Sequence, residues 1–202
     1  DGAKDWTVNI SVGTGFTKQI WHGAWGSDGK IHIADLNGDG KKDVFMWNNA
    51  MRNWSVNLST GSDFNGQAWT GSPGSDGQIY IGDLNGDKKD DVFIWDDAKG
   101  WMVNLSKENG FNIEEWLGGY RPNKSSKTGD FNGDRKTDLA TWNEDTKEWF
   151  INFSLGNSFK SEIYNGAWGS DGPINIGDLN GDGKTDIFMW RVRDKSWTIN
   201  LA

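Results

Sequence analysis

The sequence predicts an all-β protein, a β-propeller of four-stranded antiparallel blades. Three observations lead there. An acidic nine-residue stretch occurs four times, as DLNGDGKKD at 35–43, DLNGDKKDD at 83–91, DFNGDRKTD at 130–138 and DLNGDGKTD at 178–186. Its first aspartates, Asp35, Asp83, Asp130 and Asp178, are 48, 47 and 48 residues apart, a period that falls among propellers and solenoids. Glycine is abundant (28), proline scarce (3) and tryptophan frequent (14), which suits many turns between flat, half-buried strands. No segment keeps a helical period, whereas solenoid repeats of this length are mostly helical.

The elements follow in order. W6TVNIS alternates large apolar Trp6, Val8 and Ile10 with polar Thr7, Asn9 and Ser11, and a period of two means a strand. The pattern returns as W54SVNLS, W101MVNLS, W149FINFS and W197TINLA. After each of the first four come a Gly-containing turn and a short strand, F16TKQIW, F64NGQAW, F111NIEEW and F159KSEIY. Linking loops follow at 22–29, 70–77, 117–126 and 165–172. A strand then enters each acidic loop (I31HIAD, I79YIGD, K127TGD, I174NIGD) and another leaves it (V44FMW, V92FIW, L139ATW, I187FMW). Each period thus holds four short strands. One such sheet cannot bury both faces alone, so copies must stack.

These boundaries give one domain over 1–202, with repeats at about 30–76, 77–125, 126–172 and 173–202, the last completed by 1–29. F16TKQIW is expected to supply the outermost strand of the last blade, so that the N- and C-terminal segments close the ring and cover an open edge. One Trp-led strand, W6TVNIS or W197TINLA, is then surplus. It could lie outside the ring, exchange between protomers to give a homodimer, or belong to a larger ring.

Composition narrows the function. The formal net charge of −8 argues against nucleic acid, which needs a basic face. No run approaches 18 apolar residues, so no membrane insertion is expected. With no cysteine, disulfides and thiolate metal sites are excluded, and hard-oxygen metals are the alternative staple.

The acidic loops provide such oxygens. Calcium takes six to eight oxygen ligands at flexible geometry. The expected set is Asp35, Asn37, Asp39, the Lys41 carbonyl and Asp43 in the first loop, then Asp83, Asn85, Asp87, the Lys89 carbonyl and Asp91. The third set is Asp130, Asn132, Asp134, the Lys136 carbonyl and Asp138, and the fourth Asp178, Asn180, Asp182, the Lys184 carbonyl and Asp186. About four calcium ions are expected. An EF-hand is rejected, because position 12 lacks its glutamate and both flanks are strands. Magnesium dehydrates too reluctantly for such a cage. The bland alternative is four hydrated Asx turns without metal. Variation at position six (Gly40, Lys88, Arg135, Gly183) predicts unequal affinities, weakest in the second and third copies.

The D-x-N-G-D-x-x-x-D loop between two strands resembles the FG-GAP (VCBS-type) repeat of integrin α-chain propellers, many secreted bacterial proteins and calcium-containing fungal propeller lectins. The resemblance covers nearly all of 30–202. It implies a secreted or cell-surface binding propeller with calcium in its loops, and it assigns no catalytic residue.

A second constellation lies in the linking loops. Three contain GSDG or its equivalent, and two contain AWGSDG with Trp25 and Trp168. A flat indole beside an acceptor and exposed amides suits a sugar ring, and in the fungal lectins that the chain resembles, sugars lodge between adjacent blades. The candidate ligand-binding residues are therefore Trp21, Trp25, Asp28, Trp69, Asp76, Trp168 and Asp171, with glycans or glycoconjugates as partners. Against this, S-D-G makes an ordinary β-turn and the tryptophans can pack between blades. The third loop has lost the pattern (Tyr120, Arg121, Pro122, Asn123) while its blade keeps its acidic loop. The other strand tryptophans pair across hairpins as sheet glue.

Catalysis is not expected. Only His22 and His32 are present, no nucleophile or phosphate motif occurs, and Glu114, Glu115, Glu144 and Glu148 are scattered among the copies. The rival to a lectin is an integrin-like protein-binding scaffold with structural calcium. N9IS, N57LS, N104LS and N152FS read as N-glycosylation sequons inside strands, where a glycan would be awkward, so a bacterial or otherwise unglycosylated origin is expected.

Overall fold

A computed structural model describes residues 4–25, 30–72, 78–166 and 173–202. All its regular elements are strands. The first sheet holds β1 (Lys4–Ser11) and β2 (Phe16–Gly23). Three sheets of four follow, β3 (His32–Ala34) to β6 (Phe64–Trp69), β7 (Ile79–Gly82) to β10 (Gly110–Trp116) and β11 (Lys127–Gly129) to β14 (Phe159–Tyr164). Between these ends run β4 (Asp43–Asn48), β5 (Asn53–Ser59), β8 (Asp91–Asp96), β9 (Gly100–Lys107), β12 (Asp138–Asn143) and β13 (Glu148–Ser154). The last sheet has three strands, β15 (Ile174–Gly177), β16 (Asp186–Arg191) and β17 (Ser196–Asn200). Every pairing is antiparallel between chain neighbours. This is the blade arrangement of a propeller.

The acidic loop joins the first two strands of each blade, and the cross-strand tryptophans face one another as expected. Trp47 and Trp54 lie 5.1 Å apart between ring centroids, Trp95 and Trp101 5.3 Å, Trp142 and Trp149 5.2 Å, Trp190 and Trp197 5.1 Å. The first two pairs are edge-to-face and the last two tilted, and such aromatic pairs add stability beyond area burial.

Burial departs from simple alternation in the complete blades. β5 is covered on both faces, so Ser55, Asn57 and Ser59 are as buried as Trp54 and Val56. A blade within a stack has a neighbour on each side. In β1 and β17 exposure alternates instead, because among the described residues no sheet covers one face of either.

Neighbouring blades interlock through aromatic wedges. Phe64 at the start of β6 packs on Trp21 at the end of β2, with centroids 4.9 Å apart; Phe111 packs on Trp69 at 4.9 Å and Phe159 on Trp116 at 5.3 Å. The acidic loops are also linked, since the amides of Asp90, Thr137 and Thr185 donate to the carbonyls of Asp35, Asp83 and Asp130 in the preceding blade.

One expectation is corrected. Phe16–Trp21 does not close the last blade. β2 is committed to β1 along the whole strand and wedged by Trp21 against Phe64. The sheet β15–β16–β17 carries no fourth strand among the described residues.

Candidate functional site: acidic loops and inter-blade loops

Two kinds of loop carry the repeated polar chemistry. In the acidic loop, the first aspartate folds the turn around itself. Asp35 Oδ1 accepts the amides of Gly38 and Asp39, and Oδ2 accepts that of Gly40. Asp83, Asp130 and Asp178 repeat this in their own loops. The fourth residue must turn with positive φ, and Gly38, Gly86, Gly133 and Gly181 do so at 75–81°. The sixth residue does the same whatever its identity: Gly40 at 82°, Gly183 at 86°, but also Lys88 at 70° and Arg135 at 66°. A side chain there strains the backbone by about 1 kcal/mol. The second and third loops keep the conformation despite that cost.

The ninth residue lies deeper. Asp43, Asp91, Asp138 and Asp186 are fully buried. Each spans two elements. Asp91 accepts the Leu84 amide of its loop at 2.9 Å and the Ser106 amide at 2.8 Å, and Asp43 and Asp138 do likewise with Leu36 and Ser59, and with Phe131 and Ser154. Burial pushes Asp91 and Asp138 up to about 7, and the like charges of the first and fifth aspartates of each loop push the same way against those two hydrogen bonds. Asp43 is raised for the same reasons.

The fifth aspartate is exposed, and in the first three loops it carries an ammonium. Lys41 Nζ stands 2.8 Å from Asp39 Oδ2, Lys89 3.1 Å from Asp87 and Lys136 3.0 Å from Asp134. The hydrogen bonds from Lys41 hold Asp39 below the usual carboxylate range. Among the described residues, no three His, Cys, Asp or Glu side chains are gathered as a ready ligand cluster. The carboxylates repel one another across the loop, yet each is turned onto amides or a lysine. The donor chemistry nevertheless fits a hard cation: three carboxylates and an amide oxygen on one tight turn, one carboxylate desolvated.

The inter-blade loops are held by a device that the sequence reading missed. Asn57 of β5 is fully buried and grips the loop before it, accepting the Ala24 amide at 2.5 Å and donating to the Ala24 carbonyl at 2.9 Å. Asn104 holds Ser72 in the same way, and Asn152 holds Tyr120. The signal was available, since asparagine occupies the same place in all five Trp-led strands, but it was read only as a sequon. In the folded chain these three amides are engaged and have no room for a glycan, whereas Asn9 is exposed. Beside each clamp a glycine admits the strand tryptophan: a Cβ on Gly71 would lie 2.6 Å from Trp54, and one on Gly119 2.5 Å from Trp101.

The candidate ligand residues separate. Trp21 and Trp69 are 6% and 2% exposed, wedged by the next blade's phenylalanine, and their indole N–H groups are taken by Gln19 and Gln67. Trp25 is 42% exposed. It stacks on Trp6 with centroids 4.6 Å apart and planes at 18°, on a loop secured by the Asn57 clamp and by Ser55 Oγ donating to the Trp25 carbonyl. Asp28, Asp76, Trp168 and Asp171 lie outside the described residues. The third loop is fully described: Tyr120 stacks on Phe150 at 4.1 Å and Arg121 pairs with Asp97.

These features define a blade-repeat protein with an acidic hairpin loop in every blade. The chain belongs to the FG-GAP-like repeat family, whose model matches residues 35–94 and 130–189. No curated protein matches the chain. Among solved structures it is similar to an Agrocybe aegerita lectin that recognises non-reducing terminal N-acetylglucosamine, with a TM-score of 0.59 and 16% identity over 79% of this chain and 46% of the lectin chain. It is also similar to the Photorhabdus luminescens Tc holotoxin pore, with a TM-score of 0.70 and 16% identity over 99% of this chain and 11% of the toxin chain. At that identity the likeness establishes the fold. The chain spans less than half the length of either. No helix among the described residues is long and apolar enough to cross a membrane.

Proposed function

We propose that the chain is a secreted or cell-surface binding propeller that holds carbohydrate on its inter-blade loops, with calcium in its acidic loops and no catalytic step of its own. The observation that carries the reading is Trp25. Among the described residues its ring is the inter-blade indole that stays open to solvent, fixed in place by Trp6 below and the Asn57 clamp beside it. A rigid, half-exposed indole offers a sugar's C–H face a platform at little entropic cost, and neighbouring amides and carboxylates direct the hydroxyls. Asp28 in the same loop, and Asp76, Trp168 and Asp171 in the equivalent loops, are the partners proposed for it. Trp21 and Trp69 act beneath the platform as wedges. Several weak sites on one rim gain avidity on a glycan-coated surface. The likeness to a lectin supports the reading by analogy of fold.

Calcium would be held by the aspartates and asparagine at positions one, three, five and nine and the carbonyl at seven. Support comes from the desolvated ninth aspartate, whose ionised form a divalent cation would relieve, and from the strained backbone kept at Lys88 and Arg135. The ion would stiffen the turn between the first two strands of each blade and supply no chemistry.

The test is a glycan array with wild type, Trp25→Ala and Trp168→Ala, each with and without chelator. Binding that falls at least about tenfold in the variants, a loss of about 1.4 kcal/mol, supports the reading. Absence of any glycan signal sinks it. One observation favours a protein-binding scaffold instead. The third loop opens on a groove of about 670 Å³ whose walls carry both Arg121 and Lys124 and both Glu144 and Asp145, a mixture of charges better suited to a polypeptide. A specific protein partner with a blank array would select that alternative.

A further inference from the structure

We propose that the acidic loops take up calcium cooperatively, the eighth residue of each loop setting the affinity of the loop before it. The inference rests on the reading of these loops as calcium sites. It adds a regulation that four isolated turns would lack.

The link is built into the ligand segments themselves. Residue eight of a loop stands between the carbonyl at seven and the aspartate at nine, both assigned to the cation. Its backbone amide donates to the carbonyl of residue one in the preceding loop: Asp90 to Asp35 at 2.8 Å, Thr137 to Asp83 and Thr185 to Asp130 at 2.6 Å each. In two of the three links its side chain takes the amide of that same residue in return. Asp90 Oδ2 accepts the Asp35 amide at 2.7 Å, and Thr185 Oγ1 accepts the Asp130 amide at 3.1 Å. Both backbone groups of Asp35 are thus held by Asp90, and both of Asp130 by Thr185. The residue that carries the first ligand of one loop is positioned by the ligand run of the next.

The packing around the link leaves little slack. A Cβ on Gly129 would lie 2.6 Å from Thr185 Cγ2, and one on Gly38 3.2 Å from Lys89 Cγ. Lys89, the seventh residue, lays its stem on the turn of the first loop, while its ammonium reaches Asp87 of its own loop at 3.1 Å. A shift of residues seven to nine in the second loop therefore moves both the backbone and the cover of the first. Asp90 is also held from the opposite side, by Lys42 Nζ at 2.7 Å. Lys42 is the eighth residue of the first loop, so the two eighth residues form an ion pair across the link.

Linkage gives the sign. Ordering residues seven to nine for a cation costs conformational entropy. Because residue eight holds residue one of the preceding loop, the same ordering prepares a ligand of a second site, whose filling then costs less. The effect is reciprocal by thermodynamic necessity. Repulsion between neighbouring cations opposes it. Each loop has three carboxylates, however, so a filled loop keeps a negative formal charge, which mutes that repulsion.

The fourth-position glycines report each loop separately. The amides of Gly38, Gly86, Gly133 and Gly181 each donate to the first aspartate of their own loop. In the isotopically labelled full chain, titrated with calcium and followed by NMR, the four signals are expected to move together, with a Hill coefficient above 1. Asp87→Ala removes an exposed ligand of the second loop and none of the hydrogen bonds between loops. It is expected to weaken the first loop, read at Gly38, at least about fivefold. Asp90→Ala deletes the acceptor for the Asp35 amide, and in that background Asp87→Ala should lose most of its effect on Gly38. Asp90→Asn keeps an acceptor without the charge and should retain the effect, which separates the link from simple electrostatics. Circular dichroism in EDTA checks that each variant is folded, and the wild-type Hill coefficient tests the proposal without any variant. If no glycine signal responds to calcium, the calcium reading itself falls. If the signals respond but follow independent curves, or if the effect of Asp87→Ala on Gly38 is absent or survives Asp90→Ala, calcium binding stands and the cooperative link is overturned.

Discussion

The acidic loops and the inter-blade loops repeat at the same period but have diverged differently. The four acidic loops keep the same aspartates, the same asparagine and the same backbone path, even where Lys88 and Arg135 must turn with positive φ. The inter-blade loops keep only their anchorage. Ala24, Ser72 and Tyr120 are gripped by equivalent asparagines, while the residues beyond them change from Trp25 to Pro73 to Arg121. The difference separates two duties. Where the fold needs one conformation, all copies hold it at a cost in strain. In the inter-blade loops the anchor is constant and the residues beyond it vary in sequence, as loops on a rigid scaffold do.

Four predictions would break or sharpen that contrast, and a fifth probes its weakest term. Calcium should have the largest effect. At a hundredfold excess over Kd each occupied loop contributes about 2.7 kcal/mol, so titrating the metal-free protein should raise Tm by many degrees. An EDTA-insensitive Tm would return the loops to hydrated turns. Next is Asp138→Ala, which strands the buried amides of Phe131 and Ser154. Urea unfolding should show a loss of about 3 kcal/mol, far above that for exposed Asp134→Ala. Asn104→Ala should cost about 2 kcal/mol by releasing Ser72, with faster hydrogen exchange at the Ser72 amide as its local signature. Trp25→Ala removes one stacked pair, worth about 1 kcal/mol. A much larger loss would make Trp25 a packing residue like Trp69. Smallest, and opposite in sign, Lys88→Gly should stabilise by about 0.5–1 kcal/mol through relief of the left-handed backbone. A destabilised Lys88→Gly protein would show that the lysine earns its place by another contact.

Much of the architecture was legible because it is written in periods. The strands, the hairpin tryptophan pairs and the acidic turns each recur four or five times, and repetition makes a weak local signal strong. What was not legible depends on neighbours. Alternation alone would send Ser55, Asn57 and Ser59 to solvent, but the next blade covers that face. Trp21 and Trp25 are four residues apart in one stretch. Phe64, distant in sequence, buries the first, while the second lies on Trp6 with its other side open. Phe16 lies elsewhere than expected for a related reason: its strand has a nearer partner in β1, and a short hairpin costs less closure entropy than joining the two ends of the chain. The clamp made by the strand asparagine was not legible because the loop that it holds lies 32 or 33 residues away in the chain.

The hydrogen bonds that run from Asp90 to Asp35, from Thr137 to Asp83 and from Thr185 to Asp130 give the molecule a mechanical grain. Each acidic turn is fastened to the one before it, so an ordered turn templates its neighbour and a disordered one loosens it. Folding free energy in such an array is a sum of unit and junction terms. Under load or denaturant the chain should therefore yield from its end sheets inward, one junction at a time, while the blades β7–β10 and β11–β14 hold longest.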